Sequence, residues 1–195
     1  MKQNERGYRY SQMRARNVNR IAFIVLLLLF IGVQFFVKAQ TKKEQDMTTV
    51  RVSDDEAAIR ALEDRFAAAV NAGDVDAIMK NYIPDKSLVV FDVVPRKEHL
   101  GAEAYRKGWE DFFSRFKGTP KLTIIDLGIT VDGNVGFGHS FMNTRGIDMQ
   151  GHPVDRTVRV SAGYRKIEGN WLIVHEHISV PVDFATGKLV PVTKP

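Results

Sequence analysis

Two of the five histidines of this 195-residue chain stand two residues apart in the run Asn170-Trp171-Leu172-Ile173-Val174-His175-Glu176-His177-Ile178-Ser179. On a strand, residues two apart share a face, so His175 and His177 are expected side by side, able to donate or accept a proton near neutral pH. The other group that could do proton chemistry is Asp92, at the end of the short apolar run Leu88 to Phe91. A carboxylate and an imidazole facing one apolar space make a general acid/base pair, and such proton transfer needs no cofactor. No Gly-rich dinucleotide or phosphate-binding loop is present, and no cofactor is expected. His139 on a neighbouring strand could supply a third nitrogen to a metal, but no carboxylate is placed beside the set, and no metal is expected.

A hairpin must position the histidine pair. The turn Glu168-Gly169 separates the closing strand from Val158 to Tyr164, and Lys166 opposite Trp171 would set Ala162 against His175 and Val160 against His177. One face then carries Val160, Ala162, Tyr164, Ile173, His175 and His177, with the chemistry of a small-molecule pocket. The other carries Arg159, Leu172, Val174, Glu176 and Ile178. Arg159 and Glu176 are expected there as an exposed ion pair near a homodimer contact made by the apolar residues.

Helices come earlier in the chain. Ser53 and Glu56 form a capping-box pattern, and Ile59, Leu62, Phe66, Ala69 and Val70 recur at helical spacing up to Asn71-Ala72-Gly73. Asp74 caps a second, short helix. A third follows Gly101 and places Tyr105, Trp109, Phe112, Phe113 and Phe116 on one aromatic face. Beyond Pro120 the pattern is of strands, Leu122 to Val131, Val135 to Asn143 and the closing hairpin, giving an α+β plan with helices on one face of a curved antiparallel sheet.

The first 39 residues are of another kind. Six Lys or Arg precede a seventeen-residue apolar run, Ile21 to Val37, and Val37-Lys38-Ala39 resembles a cleavage site. Residues 1–39 are expected to be a signal peptide or a membrane anchor, 40–52 a linker, 53–182 the folded domain and 183–195 a tail. The domain is thus expected outside the cytoplasm, touching membrane only through the leader if uncleaved. The leader carries seven positive and one negative charge, so the +5 of the whole chain leaves −1 for the remainder. No basic stripe is left for nucleic acid, which excludes that partner. The absence of cysteine excludes a disulfide framework.

Three stretches carry a resemblance: Arg65-Phe66-Ala67-Ala68-Ala69-Val70-Asn71-Ala72-Gly73-Asp74, Asp92 nine residues before Gly101, and the Gly-x-Trp-x-Ile-x-His-x-His-x-Ser closing strand. They resemble the SnoaL-like and ketosteroid-isomerase-like branch of the nuclear transport factor 2-like superfamily, which implies a cone-shaped α+β fold over residues 53 to about 182. The resemblance implies Asp92 as the base beside a carbonyl. The isomerases' two hydrogen-bond donors fall at Phe66 and Ala162, neither of which can donate, so steroid isomerisation by that route is not expected and a histidine is expected to fill the vacancy. Asp92, His175 and His177 are the expected catalytic groups, with Phe66, Tyr105, Trp109, Phe113, His139 and Ala162 around a hydrophobic small molecule. The closing strand is also similar to the association domain of calcium/calmodulin-dependent kinase II. That similarity implies the alternative of a non-catalytic ligand-binding or oligomerisation module.

Overall fold

The computed structural model describes residues 54–93 and 97–192. The expected leader, the linker and Ser53 lie outside the described residues. Helix α1 spans residues 54–72 and buries Ile59, Leu62, Glu63, Phe66, Ala69 and Val70 along one stripe, as the 3.6-residue period requires. Gly73, at φ +71°, ends it, and the Asp74 side chain accepts from the Ala77 N–H to start α2, Val75–Met79. Strand β1, Val89–Phe91, and β2, Glu98–Leu100, form a small antiparallel pair ahead of α3, Ala102–Phe113. Four long strands follow: β3 Lys121–Asp132, β4 Val135–Ile147, β5 Pro153–Ile167 and β6 Asn170–Ser179.

The strands form one six-stranded sheet in the order β2-β1-β6-β5-β4-β3, antiparallel except where β1 runs parallel to β6. Its inner face presents Leu122, Met142, Val160, Ala162, Tyr164, Trp171 and Ile173 to the buried sides of α1 and α2 and to Tyr105 of α3 in one core. This is the expected α+β arrangement, helices against one face of the sheet.

The closing hairpin departs from expectation at a single residue. Glu168 and Gly169, both at positive φ, make the turn, and Lys166 does pair with Trp171. The register then shifts: Tyr164 pairs with Ile173 but Gly163 pairs with His175, leaving Val174 as the extra residue of a β-bulge. The other edge of β6 changes partner at the same place. Ile173 exchanges hydrogen bonds with Asn81 and Ile83, whereas Val89 to Phe91 take over from His175 onward. One inserted residue reverses the faces, since side chains alternate along a strand. His175 and His177 therefore leave the inner face, and Glu176 enters it, 2% exposed.

Candidate active site

Glu176 stands directly opposite Ala162 on the inner face. Both phenols nearest to it donate to the same carboxyl oxygen: Tyr82, just past α2, and Tyr105 of α3 each reach Oε2 at 3.0 Å. Burial, followed by the charge of Glu63, pushes Glu176 up to about 8, against the pull of the two phenol hydrogen bonds. Tyr82 and Tyr105 are held well above the ordinary phenol value by the same burial and by the charge of Glu176. At neutral pH Glu176 is consequently a carboxylic acid. With Oε2 occupied by two donors, Oε1 is left to carry the proton.

Asp92 lies at the end of β1 with its side chain 17% exposed. Its Oδ1 accepts from the Val93 N–H at 2.6 Å, and its Oδ2 lies 3.7 Å from Nε2 of His99. His99 belongs to β2 and is buried. Its Nδ1 lies 3.1 Å from the Ala104 carbonyl, an acceptor that fixes the proton on Nδ1. Nε2 has no hydrogen-bond partner within 3.5 Å, so its contact with Asp92 is attractive only when a proton sits on one of the two. Helix α3 makes room for the ring at Gly108, where a Cβ would stand 2.6 Å from His99 Cε1. The carboxyl of Asp92 is near enough for its charge to raise both Glu176 and Tyr105.

Aromatic rings line this interior. Phe66, Tyr82, Tyr105 and Trp109 meet edge to face in a closed circuit, with centroids 6.0, 5.1, 5.8 and 5.6 Å apart in turn around it. Phe113 and Phe112 extend the cluster from Trp109. His99 packs on Tyr105 at 5.3 Å. On the buried side of α1, one turn before Phe66, Glu63 accepts the Tyr164 hydroxyl at 2.7 Å and is raised chiefly by burial.

The structure thus brings Asp92, Phe66, Tyr105, Trp109, Phe113 and Ala162 to the helix-covered side of the sheet. It does not bring the expected histidines there. His175 donates from Nδ1 to the Val89 carbonyl at 2.8 Å, and both His175 and His177 pack against Phe91 on the outer face. His139 is exposed beside Phe137 on that same face, because β4 alternates with its glycines and Ser140 turned inward. The expected Arg159–Glu176 ion pair is likewise replaced by the two phenols on Glu176, and Ile178 packs against the core instead of facing outward. All of these reversals follow from the bulge except that of His139, whose strand simply keeps its period. Glu63 had a signal in the sequence, a carboxylate inside the apolar stripe of α1. His99 and Tyr82 had none. Among the described residues no group of three or more His, Cys, Asp or Glu is arranged to hold a metal ion, and no helix is long and apolar enough to cross a membrane.

A model of the SnoaL-like domain matches residues 59–183, more than half of the chain and all six strands. The chain belongs to the SnoaL-like domain family. Among solved structures, this SnoaL-like domain is similar to an NTF2-like protein of unknown function from Pseudomonas putida KT2440, with 28% identity over 73% of this chain and 98% of that one and a TM-score of 0.64. It therefore sits in the nuclear transport factor 2-like superfamily. A Xanthomonas campestris protein provisionally named a calcium/calmodulin-dependent protein kinase II association domain is 24% identical over 62% of this chain and 84% of that one, with a TM-score of 0.54. A Novosphingobium aromaticivorans protein provisionally named a scytalone dehydratase is 13% identical over 66% of this chain and 85% of that one, with a TM-score of 0.58. These last two likenesses are of fold alone. No curated protein matches the chain.

Proposed function

We propose that this SnoaL-like domain is a cofactor-independent acid/base enzyme, an isomerase, cyclase or dehydratase, acting on an apolar carbonyl compound. The observation that carries the reading is Glu176: a neutral carboxylic acid, clamped by Tyr82 and Tyr105, across from Ala162. The resemblance placed the isomerases' protonated acid at Ala162, and here a residue of the adjoining strand supplies that function. Asp92 is the base. It removes a proton beside the carbonyl and carries it on the carboxyl that faces Nε2 of His99, while the Oε1 proton of Glu176 is shared with the carbonyl oxygen as that oxygen becomes enolate. Collapse of the enolate isomerises with reprotonation elsewhere; it dehydrates with loss of a hydroxyl, which takes the proton back from Asp92 and departs as water; and it cyclises with attack on a second carbonyl, whose oxygen takes that proton.

A binding module gains nothing from an acid buried without a cation, which lowers stability. The arrangement of Asp92 with His99 and Glu176 therefore favours the enzyme over the module. Hydrogen–deuterium exchange at the α-carbons of cyclohexanone in D2O, followed by NMR, tests the reading. Wild-type protein should accelerate exchange, and Asp92→Asn should lower the rate by roughly 10²-fold or more. Exchange no faster than buffer, or unchanged in the variant, would sink it.

A further inference from the structure

Glu63 lies one helical turn before Phe66 on the buried side of α1, and only one of its carboxyl oxygens is used. Oε1 accepts from Tyr164, while Oε2 is buried without a partner. The indole Nε1 of Trp109, whose ring packs on Phe66, is buried and unpartnered as well. Such atoms are unfavourable to leave unpaired, and a bound ligand or water supplies the partner. Glu63 is close enough to Glu176 for its charge to be the second largest influence there, after burial. Among the described residues, the hydrogen-bond and ion-pair partners of Glu63, Glu176 and Asp92 include no Lys or Arg. At Glu63 and Glu176 an anionic ligand would meet two carboxyl groups whose partners among the described residues are phenols alone.

On the reading that Glu176 receives a carbonyl oxygen, we propose that Glu63 is a second acid of the same site. Its ligand is an uncharged compound with two separated acceptor oxygens, one bonded by Glu176 and the other by the free oxygen of Glu63 together with the Trp109 N–H. Burial raises Glu63 toward its protonated form, in which Oε2 is a donor like the indole beside the same aromatic rings. A single ketone would satisfy one end of the site only.

Three six-membered rings of similar size separate the possibilities: cyclohexane-1,4-dione, cyclohexanone and cyclohexanecarboxylate. Binding is read from the indole N–H resonance of Trp109, assigned with Trp109→Phe, in titrations of the full domain. The dione should bind roughly fivefold or more tighter than the ketone, the increment of one further neutral hydrogen bond, and the carboxylate should not bind. Glu63→Met should abolish the preference for the dione, bringing the dione and cyclohexanone to equal affinity, and Glu63→Gln, which keeps an N–H donor, should restore it. Equal affinities of dione and ketone for the wild type, a comparison that needs no variant to fold, overturn the proposal. So does a preference that survives Glu63→Met. Either result with Asp92-dependent exchange intact removes the second acid alone, whereas failure of both ketones to bind removes the acid/base reading too.

Discussion

A carboxyl group buried beside phenols and a second carboxyl keeps its proton to a higher pH than it does in the unfolded chain, and that difference appears in stability. Glu176 moves from 4.5 to about 8 on folding, with Glu63, Asp92, Tyr82 and Tyr105 facing it. Below pH about 4.5 both states hold the proton and nothing is lost. Between about 4.5 and 8 the unfolded chain gives it up while the folded chain retains it, so stability falls as pH rises, and it levels off above about 8. Glu176→Gln carries no titrating proton and keeps an oxygen for the two phenols, so it should gain on the wild type across that window, by a few kcal/mol at an order-of-magnitude level. Urea unfolding at the two ends of the window measures this; parallel behaviour of the two proteins would mean that Glu176 is not a neutral acid in the fold. The same variant retains an N–H donor toward a carbonyl but has no proton to surrender. Ketone binding should therefore persist while isomerisation slows.

At the scale of the element, two features place the acid, and they differ in how openly the sequence declares them. The stripe of α1, the aromatic face of α3 and the turn at Glu168-Gly169 follow from period and turn chemistry, which are local. The bulge at Val174 does not, because Trp171 to Ile178 is apolar on both faces and either alternation buries enough carbon to be plausible. The choice is made by partners far away in the chain, Asn81 to Ile83 before the bulge and Val89 to Phe91 after it. Hence Asp92 and the rings around it were readable, whereas Glu176, Tyr82 and His99 depend on pairings between distant segments. Helix α3 offers a test of the positioning. Alanine in place of an exposed helix glycine ordinarily stabilises by about 1 kcal/mol. At Gly108 the added Cβ would lie 2.6 Å from a ring atom of His99, which is 2% exposed and has little room to move. Gly108→Ala should thus destabilise by roughly 1–3 kcal/mol in thermal unfolding, and it should slow ketone exchange by shifting His99 from Asp92. A more stable, fully active variant would show that the ring is not held by this helix.

For the whole molecule, the bulge settles what the sheet shows to the outside. Across β4, β5, β6 and β1 the outer face carries two adjacent rows: Phe137, Gly163, His175 and Val89 in one, and His139, Ser161, His177 and Phe91 in the other. Phe137 is 52% exposed, Val135 60% and Phe91 41%, an apolar surface opposite the carboxyl-lined interior, with Arg165 beside Val135 and Glu98 beside Phe91 at its edges. The sequence led to a homodimer through this side of the sheet, built on Leu172, Val174 and Ile178. Ile178 belongs to the core and Val174 is spent in the bulge, so the surface that a second copy would cover is instead the one centred on Phe137, His175 and Phe91. Rings exposed in a contiguous patch are the usual material of such contacts. Phe137→Glu puts a charge in the middle of the patch without touching the inner face, since its neighbours Gly136 and Gly138 are the residues turned inward. Sedimentation at micromolar concentration should give a dimer for the wild-type domain and a monomer for Phe137→Glu, with ketone exchange retained because the acid and the base lie on the other side of the sheet. A wild-type monomer would refute the dimer. Loss of exchange on dissociation would instead show that the partner copy holds part of the site in place.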